Sequence, residues 1–522
     1  MTTLTERIGK TYDKLPYLSA AFPVTAPEHL RTVAYLFGLD APEPEWARVL
    51  ELGCAAGGNV IPFAARYPNA QVTGVDLSQV QVEAGQRAIA EMGLDNLRLV
   101  QASISDLGSS LGEFDYIICH GVYSWVPPEV QDAILGVSRQ CLSANGIAHV
   151  SYNTYPGWKA KEVVRDAMLL RADGRSDAER LDYARGMIDF LHEMAPADSV
   201  LAKIMEDNSQ TIRHGREYYL AHEFLELCNS PCYFRDFLAS ARRHGLEYLA
   251  EALPSAMFAS NYGAQQAQML LAECEGDQVR LEQLIDFLSN RTFRQTLLVH
   301  PANTDGIRYQ LDATRISRLH VAAIFKPASD DGTTWSTSKG QTITAASPMA
   351  QAAVAALNKA WPGSVPVATL VNVAQTVAGD QDLGKDQLIS FLSALIVANA
   401  VHFRLDPMQL DPEVEARPKV RPALRKLAGM GSSAPVQLFN EWHQSIEPSL
   451  TAAFVLSLLD GRRDRAALTA ALVAAVADQQ FTFKRDDKVL DDPQEIARSA
   501  EDAVTEALEW LSNNAMLVGK TP

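Results

Sequence analysis

Residues 49–62 read Val-Leu-Glu-Leu-Gly-Cys-Ala-Ala-Gly-Gly-Asn-Val-Ile-Pro, a short apolar run that ends in an acidic residue and passes into a glycine-rich turn. Val49 to Leu52, preceded by Trp46, have the pattern of a buried parallel strand. Gly53, Gly57 and Gly58 let the backbone turn tightly and approach a ligand where a side chain would collide. Unpaired N–H groups at the start of the next helix then face the polar end of that ligand. The unit predicts an α/β protein with a nucleotide-like cofactor at the turn.

The segments downstream repeat the theme. Gln71–Asp76 is a second strand ending in a carboxylate, the residue type that accepts hydrogen bonds from ribose hydroxyls in doubly wound sheets. Strands are expected at 96–104, ending in Ser103 and Ile104 beside an adenine ring, at 113–120 and at 146–153, the last reached through a helix at 128–142. Five strands alternating with helices predict a Rossmann-like parallel sheet whose crevice lies at the strands' C-terminal ends. Strands at 245–251 and 293–299, separated by helices at 264–274 and 277–289, are expected to close the far edge as an antiparallel pair.

Gly53-x-Ala55-x-x-Gly58 is one substitution from a dinucleotide fingerprint, so the turn alone leaves two cofactors open. Glu51 favours the second. A carboxylate there sits badly beside a pyrophosphate but suits a ligand carrying an amino group and a sulfonium, S-adenosyl-L-methionine. The competing role for Glu51 is a cap on the following helix.

Four motifs carry a resemblance: Tyr12-Asp13-x-x-Pro16-Tyr17-x-Ser19, Leu50 to Asn59, Cys119-His-Gly-Val-Tyr-Ser-Trp-Val-Pro127, and Ser151-Tyr-Asn-Thr-Tyr-Pro-Gly-Trp158. Together they resemble the class I methyltransferases that carry a methyltransferase regulatory domain, a group that includes the rickettsial outer-membrane-protein lysine methyltransferases. The likeness continues through Asn290–Leu298 and the C-terminal parts, and Ala56 stands where a serine is expected. The resemblance implies S-adenosyl-L-methionine as cofactor and methyl transfer to lysine side chains of a protein or peptide; a small-molecule or peptide-derived metabolite is the alternative acceptor. The expected cofactor contacts are Tyr12, Tyr17, Glu51, Gly53, Cys54, Ala55, Gly57, Asn59, Asp76, Leu77, Ser103, Ile104 and His120.

Methyl transfer from a sulfonium is an in-line displacement, so the protein has mainly to align the acceptor and exclude water. A lysine acceptor, with a reference pKa of about 10.4, must also lose a proton. Candidates for the acceptor side follow strands four and five: His120, Tyr123 and Trp125, then Tyr152, Asn153, Tyr155 and Trp158. The aromatics there are expected to wall a channel and hold an ammonium stem by cation–π contact; the competing role of Trp125 and Trp158 is to anchor the sheet. His120 is read as a group of near-neutral pKa that accepts a proton or orients the acceptor. Tyr12, Asp13, Pro16 and Tyr17 read as a lid on the cofactor, or as a helix packed on the sheet.

The remaining chain sets limits. A formal net charge of −17 argues against binding a nucleic-acid backbone, which needs a basic face, and 47% hydrophobic residues are ample for several cores. No spanning apolar run appears, so no membrane insertion and a cytoplasmic location are expected. Six cysteines, with Cys228 and Cys232 as a lone pair, give no metal site, and both are expected to be buried. The domain layout expected is a catalytic unit over 1–300 with a helical insertion and regulatory region from about 160 to 290, a winged-helix-like domain over 301–410, and a second over 430–522. Residues 326–342 read as a polar loop, and the charges from Glu413 to Lys426 as solvated linker. The late modules are expected to grip a protein substrate or a second subunit, making a homodimer possible.

Overall fold

The computed structural model describes residues 4–14, 18–206, 217–378, 381–485 and 488–519. Its centre is a seven-stranded sheet built from β1 (Arg48–Leu52), β2 (Gln71–Asp76), β3 (Leu97–Gln101), β4 (Phe114–Cys119), β5 (Leu142–Asn153), β6 (Glu247–Glu251) and β7 (Phe293–Val299). Their order across the sheet is β3-β2-β1-β4-β5-β7-β6. The first five are parallel, and β7 runs antiparallel to both β5 and β6. Strands buried on both faces read as apolar runs, which is why Val49, Leu50 and Leu52 on β1 and Tyr116, Ile117 and Ile118 on β4 are all sealed from solvent. The chain reverses its order across β1 and β4, and that switch point opens the crevice at their C-terminal ends.

The antiparallel pair is tied down from outside by charge. Arg294 on β7 is fully buried; it donates to Glu251 on β6 at 2.8 Å, and to Glu282 and Asp286 on helix Gln278–Ser289 at 3.1 and 2.8 Å. Its guanidinium also lies 3.7 Å from the ring centroid of Phe234. Three carboxylates around one arginine leave no uncompensated cation in the interior. β6 and β7 are therefore integral to the central sheet, with helix Gln278–Ser289 fastened to its edge.

Helices Gly157–Ala172, Asp177–Met194 and Glu217–Phe224 form a satellite core around Val164, Met168, Ile188, Leu220 and Phe224. Beyond β7, strands His320–Ala322, Val365–Pro366 and His402–Arg404 pair beside helices Pro348–Ala360, Val367–Ala378 and Gln381–Val397. Residues 326–342 are not simply a loop. Phe325–Pro327, Thr334–Thr337 and Thr342–Thr344 form an antiparallel sheet, because Thr, Trp and Ile favour strands and Asp331 and Gly340 supply the turns.

The C-terminal domain combines helices Pro422–Gly429, Leu450–Leu458, Arg465–Ala477 and Pro493–Asn513 with the hairpin of Leu438–Phe439 and Ser445–Ile446. Part of the expected linker is the first of these helices. Arg421 is not simply solvated: it donates to buried Glu441 at 2.7 Å. Cys228 and Cys232 are half-buried. No helix among the described residues is long and apolar enough to cross a membrane.

Candidate active site

A cavity of about 570 Å³ opens at the C-terminal ends of the parallel strands. Glu51 reaches it from the end of β1, Asp76 from β2, Ser103 and Ile104 from the turn after β3, His120 from the residue after β4 and Asn153 from the end of β5. Helix Leu4–Lys14 adds Thr5, Ile8 and Tyr12 to the wall. That helix is held in place where Ser78 Oγ donates to Asp13 Oδ1 at 2.6 Å and where Tyr12 stacks on His222 at 4.8 Å.

The glycine turn is shaped by what crowds it. Gly53 has φ of 78°, and a Cβ there would lie 2.3 Å from Val122; a Cβ on Gly58 would lie 2.4 Å from the backbone of Ser19. Asp76 fastens the same turn, its Oδ2 accepting from Ala55 N at 2.7 Å and its Oδ1 from Ser78 N at 2.9 Å. Glu51 Oε1 accepts from Asn59 Nδ2 at 2.8 Å, while its Oε2 is buried with no partner. Burial pushes Glu51 up to about 8, the Asn59 hydrogen bond opposes this, and the Asp76 charge adds to it. Burial raises Asp76 as well, against its backbone hydrogen bonds. Two carboxylates raised by burial make this end of the cavity receptive to a cation.

The other end is aromatic. Trp125 and Trp158 meet edge to face at 6.0 Å, and Phe293, Lys161 and Glu223 complete the wall. Lys161 Nζ lies 5.0 Å from the ring centroid of Trp158 and 3.2 Å from Glu223 Oε1. His120 sits between the two ends, 4.2 Å from Phe22 and 5.9 Å from Phe293 by ring centroids, with Nδ1 buried and unpaired.

Of the residues expected from the sequence, the cavity wall brings together Tyr12, Glu51, Gly53, Cys54, Ala55, Asn59, Asp76, Leu77, Ser103, Ile104, His120, Trp125 and Trp158. Four stand outside it, among them Tyr155, whose ring packs on Tyr233 at 5.3 Å and whose hydroxyl donates to Glu162 Oε1 at 2.6 Å. Gly57 backs onto Leu99 behind the turn. Tyr123 is buried against Phe237. Tyr152 stacks on the same ring at 4.0 Å and its hydroxyl pairs with Thr296, because alternation along β5 sends it to the face opposite Asn153. Tyr17 lies outside the described residues. The near-neutral reading of His120 is corrected too: burial, helped by His149, drops its pKa to about 3, so the imidazole is neutral. Ser19, Phe22, Lys161, Glu223 and Thr292 line the cavity without having been expected there. Ser19 lies inside a motif, Lys161 stands three residues past the end of one on helix Gly157–Ala172, and Glu223 comes from helix Glu217–Phe224, which carries none.

Comparison with known proteins agrees with this architecture. Residues 49–146 match a methyltransferase domain, 216–300 a predicted methyltransferase regulatory domain, and 415–516 the PKMT C-terminal winged helix domain. An uncharacterized protein of Rickettsia prowazekii is 33% identical over 97% of this chain and 93% of its own. The structure of PKMT2 from Rickettsia typhi superposes with a TM-score of 0.86 at 28% identity, covering 96% of this chain and all of that one; the same protein in complex with AdoHcy gives 0.83. The glycine cradle, the orphaned Glu51 oxygen and the Asp76 carboxylate fit the amino acid and ribose of S-adenosylmethionine. The chain belongs to the class I S-adenosylmethionine-dependent methyltransferases that carry a methyltransferase regulatory domain and a PKMT-type C-terminal winged-helix domain.

Proposed function

We propose that this methyltransferase acts on lysine side chains of a protein substrate. The observation that carries the reading is Lys161: the aromatic end of the cavity already holds an aliphatic ammonium, set over the face of Trp158 and paired with Glu223. Half-buried Trp125, with Phe293 on the same wall, offers aromatic surface to an entering lysine stem. The likeness to PKMT2 over nearly the whole of both chains supports the same class of acceptor.

S-adenosylmethionine supplies, when bound, an electrophilic methyl on a cationic sulfur. Glu51 Oε2 would receive its amino group, Asp76 its ribose hydroxyls, and Leu77 and Ile104 would flank its base. The chain's own work is then positioning and exclusion of water. Helix Leu4–Lys14 roofs the donor end, and Trp125, Trp158 and Phe293 wall the acceptor end. The acceptor ammonium gives its proton to solvent before it is enclosed, and the apolar part of the wall then favours the neutral amine. His120, neutral and enclosed, shapes the meeting point of the two ends and does not titrate near pH 7.

The test is incubation of the enzyme with radiolabelled S-adenosylmethionine and cell lysate, followed by size fractionation and mass spectrometry. Label in methyl-lysine of macromolecules is the expected result. Label confined to the small-molecule fraction would replace the lysine reading with a metabolite acceptor.

A further inference from the structure

The C-terminal winged-helix domain reaches the donor end of the cavity. His443 Nε2 lies 3.2 Å from Asn59 Oδ1, and Asn59 Nδ2 in turn donates to Glu51 Oε1 at 2.8 Å. The orientation of the Asn59 amide is fixed independently. Phe22 N, which can only donate, lies 3.0 Å from Asn59 Oδ1, so the amide nitrogen must face Glu51. Thr25 Oγ1 stands 2.9 Å from the same oxygen. His443 must then carry its proton on Nε2.

We propose that His443 is a positioning residue for the methyl donor, holding Asn59 so that Glu51 presents its unpaired Oε2 to the donor's amino group.

Two further observations point the same way. His443 is a non-glycine residue in the left-handed region, with φ of 56°; its turn is held because Asn440 Oδ1 accepts from Trp442 N at 3.0 Å and from Gln444 N at 2.9 Å. The hairpin around that turn also backs the cavity wall: Gln437 N donates to Ser19 O at 2.9 Å and Ala21 N to Ser445 Oγ at 2.7 Å, while Ser19 Oγ accepts from Gly58 N at 2.8 Å. The segment carrying Ser19 is thus pressed between the glycine turn and a domain more than four hundred positions away in sequence. A domain that served substrate capture alone would have no need to reach Asn59.

The experiment is calorimetric titration of the full chain with S-adenosylmethionine and with S-adenosylhomocysteine, for His443→Phe, His443→Gln, Asn59→Ala and the double variant His443→Phe/Asn59→Ala. His443→Phe removes the donor at similar bulk and is expected to weaken both ligands about tenfold, while His443→Gln, which keeps an N–H, stays within about threefold. The double variant is expected to bind no more weakly than Asn59→Ala alone, because both changes act through one contact. Unchanged affinity in folded His443→Phe, or additive losses in the double variant, would overturn the proposal. A measurement on the unaltered protein covers variants that do not fold. The imidazole nitrogen resonances of His443 should show the Nε2-protonated tautomer and shift when S-adenosylhomocysteine is added; an Nδ1-protonated ring would sink the idea. None of these readouts depends on the acceptor, so their failure leaves the lysine reading intact.

Discussion

Arg66, on the helix that follows the glycine turn, and Glu441, in the C-terminal domain, form an ion pair at 2.7 Å with both side chains almost wholly enclosed. Arg421 closes on the other oxygen of the same carboxylate at 2.7 Å, and Glu28 stands 3.9 Å from Arg66. Removing Glu441 would leave the enclosed Arg66 beside the partly exposed Arg421, with Glu28 at 3.9 Å left to offset its charge. Glu441→Leu is therefore expected to cost about 3–5 kcal/mol in denaturant unfolding at pH 7.

The same carboxylate gives a pH signature. Burial raises its pKa, but Arg66 and Arg421 more than offset this and hold Glu441 below its ordinary value of 4.5. A group depressed in the folded state stabilises above its unfolded pKa and loses that contribution as pH falls through the folded value. The stability gap between the natural chain and Glu441→Gln should be widest at pH 6–7 and narrow on acidification below about pH 4. A gap that stayed constant to pH 3 would contradict the assignment.

Glu51 behaves in the opposite sense. With a folded pKa raised to about 8, it keeps its proton where an unfolded carboxyl has lost it. The ligand-free protein should accordingly lose stability as pH rises from 5 towards 8, and Glu51→Gln should flatten that slope. A cationic amino group favours the ionised carboxylate, so S-adenosylmethionine should bind more tightly as pH goes from about 6 to 7.5, with proton release visible in buffers of different ionisation enthalpy. Glu51→Gln is expected to bind at least about tenfold more weakly and to lose the proton release.

The two tryptophans should separate by phenotype. Trp158 is fully buried, so Trp158→Ala is expected to cost about 3–5 kcal/mol of stability as well as activity. Trp125 is half-buried on the cavity wall. Trp125→Ala should leave the melting temperature nearly unchanged and raise KM for a lysine peptide about tenfold, by loss of cation–π contact. Equal destabilisation by both would return Trp125 to the role of a sheet anchor.

His120→Ala is expected to lower kcat by about tenfold through misplacement at the reacting centre, with cofactor affinity changed less than about threefold. Because its imidazole is already neutral, with a pKa near 3, the pH profile of kcat around pH 6.5 should keep its shape in His120→Asn. Loss in the variant of an inflection that the natural protein shows there would make His120 a titrating base after all.

The donor end was legible in the sequence because its chemistry is local. Glu51, the glycine turn and Asp76 lie within one strand-turn-helix-strand unit, and spacing alone places them at the ends of adjacent strands. The acceptor end was legible only by position after strands four and five, which does not say which face a side chain takes. That is why Tyr152 went to the Phe237 side while Asn153 reached the cavity. Residues 326–342 could have been read from the Thr, Trp and Ile content of 333–344 instead of from polarity alone. The contact between Asn59 and His443 had no sequence signal, since neither the left-handed turn at 443 nor its distance from residue 59 leaves a motif.

The antiparallel placement of β7 has a consequence for synthesis on the ribosome. The edge of β5 finds its partner only when Phe293–Val299 has emerged, long after Asn153. Until then a long row of open amide and carbonyl groups is exposed to other nascent chains, a template for wrong pairing. The helices that intervene, with their own small core, give the waiting polypeptide something to fold into meanwhile.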